Sequence, residues 1–265
     1  MHSNSSREAT PLVATTGIHN FRDYGGYEVA GGGRLVEGRL YRSGEHAKAS
    51  DNDLLVLRSL GLDAVIDLRG KSERAKAPCR RYVGFPGVVI ASDGETAAFA
   101  PHVEAASQAM QGADARKTLT SRYRELPFRP AIVDVFRQYF RTLAECDGPT
   151  VVYCSAGKDR TGVLVALLHT LMGVHRDDVI HDYLLTNTAG DSDARAAAIR
   201  ADLEKRFGAG LTDDAVRVIT SVEAGFLEAA FEAIAEQHGS VDAYVSTVLH
   251  VTSEMREELE SRLVV

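Results

Sequence analysis

Residues 153–162 read Tyr-Cys-Ser-Ala-Gly-Lys-Asp-Arg-Thr-Gly, which sets a thiol at Cys154 six positions before a guanidinium at Arg160. Sulfur as thiolate attacks phosphorus and leaves again in a later step. Arginine presents a planar fork that matches two oxygens of a phosphate, which lysine cannot reproduce. Ala156 and Gly157 are small enough for backbone N–H groups to turn inward as an anion nest. The Thr161 hydroxyl is placed to steady the thiolate, and Lys158 adds charge at the mouth. The chemistry of such a stretch is attack of Cys154 on a bound phosphate with Arg160 in support. Ser155, Ala156, Gly157, Lys158, Thr161 and Gly162 are the candidate substrate-binding positions.

A leaving oxygen needs a proton and the following water needs a base, and one carboxyl can serve both in turn. Two candidates stand out. Asp159 lies inside the stretch, and Asp67 closes a predicted strand, where open parallel sheets line their crevices. Asp67 reads equally well as the ion-pair partner of a basic residue such as Arg22 or Arg42. A cysteine shortly before an arginine is weak evidence alone, but the Gly-Lys-Asp-Arg-Thr-Gly string between a strand and an apolar helix makes chance a poor account. A nucleotide-binding loop is excluded, because Gly157-Lys158 is followed by Asp159 instead of Ser or Thr, and Val152 stands where the first glycine belongs. Two alternatives remain open: a phosphate-binding module without catalysis, and a rhodanese-like sulfurtransferase loop.

The elements that must position these groups follow from pattern. The run Thr150–Tyr153 is β-type, and residues 163–174, apolar on nearly every side, predict a buried central helix. Residues 63–69 predict a parallel strand ending at Asp67, and 86–92 another. Residues 20–47 predict a short antiparallel ribbon bent at Gly31–Gly33. Ser50 and Asp53 form a capping pair before Leu54, Leu57 and Leu60 at helical spacing. Ile132, Phe136, Tyr139, Phe140 and Leu143 share one helix face, and further helices are predicted over 176–187, 193–208, 222–237 and the tail from 240. The alanine-rich, charged stretch from Ser92 to Pro130 predicts a helical insertion on the surface. The whole is an α/β domain: a small, mainly parallel sheet surrounded by helices. It is expected to span 17–265 behind a loose leader of residues 1–16, with 188–219 as a possible helical lid.

The chain has 265 residues with 45% hydrophobic and 25% charged content, as in globular domains with a real core. A net charge of −7 argues against nucleic acid as partner but not against a phosphate substrate, which a few focused cations can hold. No apolar run reaches membrane-spanning length, and no secretory signal is apparent. Three unclustered cysteines make neither a disulfide framework nor a zinc site, which points to a reducing, cytoplasmic setting. Unconventional secretion stays open. Cys79 and Cys146 read as inert small hydrophobes, or as resolving thiols for Cys154. His46, His175, His181 and His250 have no metal-ligand spacing, so no metal or other cofactor is expected.

The stretches NFRDYGGY (20–27), RLYRSG (39–44), VIDLRGKSE (65–73), YCSAGKDRTG (153–162) and DYLLTN (182–187) together resemble, in the same order, the bacterial tyrosine/lipid phosphatases of the cysteine-dependent tyrosine phosphatase superfamily. The resemblance runs from about Gly17 onward. It implies metal-free, two-step hydrolysis through a phosphocysteine, acting on phosphotyrosine, often on phosphoserine or phosphothreonine, and on phosphoinositides. It also implies Asp159 as the acid and base, with Asp67 second. Arg22, Asp23, Arg42 and Arg69 belong to its motifs, either as buried ion pairs or as substrate contacts. Asp182 and Asn187 are expected as helix caps. One position departs from the pattern: the family usually has His before the cysteine, and here Tyr153 stands there. A hydrogen bond from Tyr153 to the loop stays open as a substitute, and a less acidic Cys154 thiol than in relatives with His is expected.

Overall fold

The computed structural model describes residues 12–96, 112–189, 197, 199–201, 204–205 and 212–265. Five short strands form one sheet: β1 (Arg22–Asp23), β2 (Leu40–Ser43), β3 (Ala64–Asp67), β4 (Val88–Ala91) and β5 (Thr150–Tyr153). Their spatial order is β1-β2-β5-β3-β4, with β1 antiparallel to β2 and every other pair parallel. The expected ribbon is present as the β1–β2 pair and a bridge between Glu28 and Arg34 across the Gly31–Gly33 bend. Its second strand then continues into the main sheet beside β5.

β5 is central, so both its faces are covered. Side chains alternate along a strand. Val152 and Cys154 accordingly enter one hydrophobic core, while Val151 and Tyr153 enter the core of the opposite face. Asp67 is in register with Tyr153 and shares that second face.

The helices of the first half are α1 (Asp51–Ser59), α2 (Lys71–Lys76), α3 (Gly112–Glu125) and α4 (Pro130–Glu145). After β5 come α5 (Asp159–Leu171), α6 (Arg176–Leu184), α7 (Asp213–Thr220), α8 (Ala224–His238), α9 (Val241–Thr247) and α10 (Ser253–Leu263). Ser50 and Asp53 close the expected capping box on α1. α5 begins at Asp159 and is buried along its whole length except at Thr170. Each of its leucines removed from water contributes roughly 1.5–3 kcal/mol, which makes this helix the pillar of the larger core.

Two expectations change, at α3 and at the start of the described chain. α3 is not a surface helix: Ala115, Leu119 and Tyr123, four residues apart, drive one face fully into the core beside α7 and α8. Half of the stretch 188–219 lies outside the described residues; its described end, α7, buries Ala215, Val216, Val218 and Ile219. Residues 12–16, assigned to the leader, are tied down by a Leu12–Arg22 bridge and by Thr16 N–H donating to Asp53 at 2.9 Å.

Candidate active site

The chain leaves β5 at Tyr153 and enters α5 at Asp159, so Cys154 to Lys158 form a five-residue loop at the C-terminal end of the central strand. Gly157 sets its shape. Its φ is +64°, and a Cβ there would lie 2.3 Å from the Ser43 carbonyl oxygen. The Gly157 carbonyl accepts from Asn20 Nδ2 at 2.7 Å and Arg42 Nη2 at 3.0 Å. The Ser155 carbonyl accepts from the Glu45 N–H at 3.2 Å. In a planar trans peptide the following N–H points opposite to the carbonyl. Tying these two carbonyls outward therefore turns the N–H groups of Ala156 and Lys158 to the other side, as an anion nest requires.

Behind that support lies a buried charge cluster. Asp182 accepts from Arg42 Nη1 at 2.6 Å and from Arg22 Nε at 3.4 Å, and all three side chains are withdrawn from solvent. Arg22 also donates to Asn20 Oδ1 and to the Asp182 carbonyl. Burial pushes the Asp182 carboxyl upward, but the two guanidiniums prevail and hold it at about 2. Asp182 is thus not a helix cap; it anchors the arginine that grips the loop. Asn187 is not a cap either. Its amide exchanges two hydrogen bonds with the Val222 backbone, at 2.8 and 2.9 Å. Arg22 and Arg42 are scaffold ion pairs, and Asp23 accepts from the N–H groups of Gly25 and Gly38.

Arg160 is nearly fully buried. Its Nη1 and Nη2 meet the two oxygens of Glu73 at 2.6 and 2.8 Å, and Nη1 also donates to Thr96 Oγ1 at 2.8 Å. The terminal fork expected to face phosphate is therefore taken by Glu73. Nε, buried and without a partner among the described residues, is the donor left over. Ser155 Oγ donates to Glu73 Oε1 at 2.7 Å, so its hydroxyl braces the loop against α2. Burial pushes the Glu73 carboxyl up, and Arg160 and Ser155 together bring it down to about 2. Thr161 is fully buried, and its hydroxyl has no hydrogen-bond partner among the described residues, so the expected bond to the thiol is not formed.

Lys158 departs from expectation. Its ammonium turns inward, donating to the carbonyls of Ile219 at 2.7 Å and Ser221 at 3.2 Å, and lies 3.6 Å from Asp159 Oδ1. The unsatisfied carbonyls at the end of α7 attract a cation more strongly than open solvent does. Gly162 does not face the loop's interior; a Cβ there would sit 2.8 Å from the Tyr183 ring.

The two candidate carboxylates are separated by the sheet. Asp159 stands in the first turn of α5 and accepts from the Tyr123 hydroxyl at 2.7 Å. Asp67 is in register with Tyr153 on the other face and is bound by Arg69 through Nε at 2.9 Å and Nη2 at 2.8 Å. Its ion-pair reading holds, with Arg69 as partner in place of Arg22 or Arg42. Tyr153 points the same way: its ring packs 4.5 Å from that of His46 and lies under the Arg69 guanidinium at 5.6 Å. Strand alternation removes it from the loop, so it is no substitute for the usual His. Cys79 accepts from Arg69 Nη2 at 3.0 Å on that side, and Cys146 follows α4 at the far end of β5. At about 3.3 Å per residue, the length of β5 separates Cys146 from the loop. Of the four histidines singled out, only His46 is buried; burial pushes its imidazole down to about 3.

The model of the tyrosine phosphatase family matches residues 13–265. The chain belongs to this family. The phosphatase is 33% identical over 237 residues to a Cupriavidus necator protein whose name places it among tyrosine-protein phosphatases, covering 88% of this chain and 82% of the relative. It is 31% identical over 261 residues to the triple specificity protein phosphatase PtpB of Mycobacterium tuberculosis, covering 86% and 91%. A tyrosine-protein phosphatase of Nostoc commune matches at 26% over 235 residues, covering 84% and 73%. The phosphatase thus has a mostly parallel sheet wrapped by helices, with residues 154–158 at the end of its central strand.

Sequence reasoning did not single out Asn20, Glu73, Tyr123 or Tyr183. Asn20, Glu73 and Tyr183 lie inside quoted motifs. Tyr123 was readable only from the four-residue spacing of Ala115, Leu119 and Tyr123.

Proposed function

We propose that this phosphatase hydrolyses phosphomonoesters in two steps at Cys154. Substrate phosphate binds against the loop N–H groups and Arg160. The Cys154 thiolate attacks phosphorus; the S–P bond forms as the P–O bond to the leaving group breaks, and Asp159 gives its proton to the departing oxygen. Water then attacks the phosphocysteine, passing a proton to Asp159. The S–P bond breaks, and inorganic phosphate and thiolate are released. The observation that carries this reading is the unpartnered, buried Nε of Arg160 beside a loop whose N–H groups are turned from their supports by outward-tied carbonyls. Glu73 holds the guanidinium plane, Arg42 and Asn20 hold the loop, and Asp67 takes no part.

The substrate we favour is phosphotyrosine, with phosphoserine and phosphothreonine as further protein substrates. Phosphoinositides form a second class, favoured by the similarity to a relative named for triple specificity. Lys158 no longer supports the lipid, because its ammonium is spent on α7. A non-catalytic binding module accords poorly with the buried Asp159 and Arg160 beside the cysteine, and a sulfurtransferase leaves Asp159 without a task.

The decisive measurement is turnover of an aryl phosphate, a phosphotyrosyl peptide and a phosphoinositide panel by the wild type, Cys154→Ser and Asp159→Asn. Cys154→Ser should lose about 10⁴-fold or more on every substrate. Asp159→Asn should lose about 10²–10⁴-fold with poor leaving groups only. Full activity of Cys154→Ser would overturn the nucleophile, and unchanged poor-leaving-group rates in Asp159→Asn would overturn the acid.

A further inference from the structure

Next to Asp159 lie two buried phenols that the reaction above does not use. The Tyr183 hydroxyl donates to the Tyr123 hydroxyl at 2.6 Å, and Tyr123 donates to Asp159 Oδ1 at 2.7 Å. Direction is set by chemistry: an ionised carboxylate only accepts, so the single Tyr123 proton goes to Asp159 and its lone pair takes the proton of Tyr183. Three helices meet here, α3 bringing Tyr123, α6 bringing Tyr183 and α5 bringing Asp159.

Packing fixes both rings. Each is about 1% exposed. Tyr123 stacks on Phe226 with centroids 5.5 Å apart and meets Tyr183 edge-on at 6.3 Å. The Tyr183 ring lies across the first turn of α5 where only glycine admits it, at Gly162. Burial first, and the Asp159 charge second, push both phenols well above their ordinary range, so they remain donors throughout the neutral range.

A carboxyl turns through a broad two-fold torsion and can present either oxygen. Here the phenol and the more distant Lys158 ammonium both approach Oδ1, while Oδ2 accepts no hydrogen bond among the described residues. The phenol at 2.7 Å is nearer than the ammonium at 3.6 Å, so it sets the direction in which Oδ1 points.

We propose that Tyr123, backed by Tyr183, is the positioning residue of the acid: it pins Oδ1 and leaves Oδ2 to carry the proton to the leaving oxygen and to receive it from water. This rests on the reading of Asp159 as acid and base. It also gives Gly162 a task apart from phosphate binding, which is to admit the ring that backs Tyr123.

The test compares wild type, Tyr123→Phe, Tyr183→Phe and Asp159→Asn, by kcat/KM on phenyl phosphate and 2,4-dinitrophenyl phosphate and by inhibition with inorganic phosphate. Phe keeps ring and packing, and thermal melts verify folding. Tyr123→Phe should lose about 10–100-fold on phenyl phosphate, the scale of a misplaced catalytic group, with dinitrophenyl phosphate and phosphate inhibition near wild type. Tyr183→Phe should show the same pattern at about 3-fold, because it removes only the second bond of the chain. Equal loss on both substrates in Tyr123→Phe would mean a merely structural residue. Wild-type kinetics in Tyr123→Phe, beside a leaving-group-dependent loss in Asp159→Asn, would sink the positioning role and spare the acid. An Asp159→Asn protein without leaving-group dependence would remove both.

Discussion

On one face of the sheet Asp159 accepts a hydrogen bond from a phenol; on the other, Asp67 is gripped by the guanidinium and backbone N–H of Arg69. Both carboxylates are buried, and both lie within a few residues of the end of a central parallel strand. The same split divides Tyr153, locked between His46 and Arg69, from its neighbour Cys154 on the loop side. A carboxylate matched by a bidentate guanidinium is fixed at both oxygens by paired hydrogen bonds, as Asp67 is by Arg69. Asp159 has instead a phenol at 2.7 Å on one oxygen, with the Lys158 ammonium farther off at 3.6 Å. Burial and position at a strand end are thus common to both carboxylates; what separates them is how closely a cation is matched to each.

The largest expected effect tests the far side. Asp67→Ala takes its bidentate partner from buried Arg69, which keeps Glu45, the Ala77 carbonyl and Cys79, and breaking such a pair costs about 3–5 kcal/mol. Urea titration should register this loss, while the ratio of rates for good and poor leaving groups stays that of the wild type. A changed ratio would break the division between the faces. The next effect lies on the loop side. Glu73 sits at about 2 against an ordinary 4.5. Its folded value is the lower one, so its contribution is complete above about pH 4.5 and disappears as pH falls to about 2. That contribution is about 3 kcal/mol. In Glu73→Gln the stability measured from pH 6 down to 2 should lose this share of its acid limb, keeping only what Asp182 and other carboxylates supply. The smallest effect is at Tyr153. Tyr153→Phe should change aryl phosphate turnover by less than about 2-fold, because a side chain on the opposite face donates nothing to the loop. A loss of 10-fold or more would tie the two faces together.

Much of this was readable from local pattern. The β-branched runs announced β3, β4 and β5, the Ser50–Asp53 pair announced α1, and the all-apolar run after Gly162 announced a buried α5, because propensity and period act over a few residues. Pairings across the chain were not readable. Nothing near Asp182 says that Arg22 and Arg42, some 140 to 160 positions earlier, complete its charge. Lys158 looked like a cation at the mouth because its competing acceptors, the carbonyls at Ile219 and Ser221, are supplied by a distant helix end. Composition misled at α3, where charge and alanine masked a regular apolar face. Tyr153 misled because a motif position does not reveal strand parity; the register with Asp67 does.

The clasp between Asn187 and Val222 has an architectural consequence. Two hydrogen bonds, one in each direction, close the base of everything the chain does between those residues. The clasp therefore joins the end of α6 to the entry of α8, so that a shift of one helix carries the other with it.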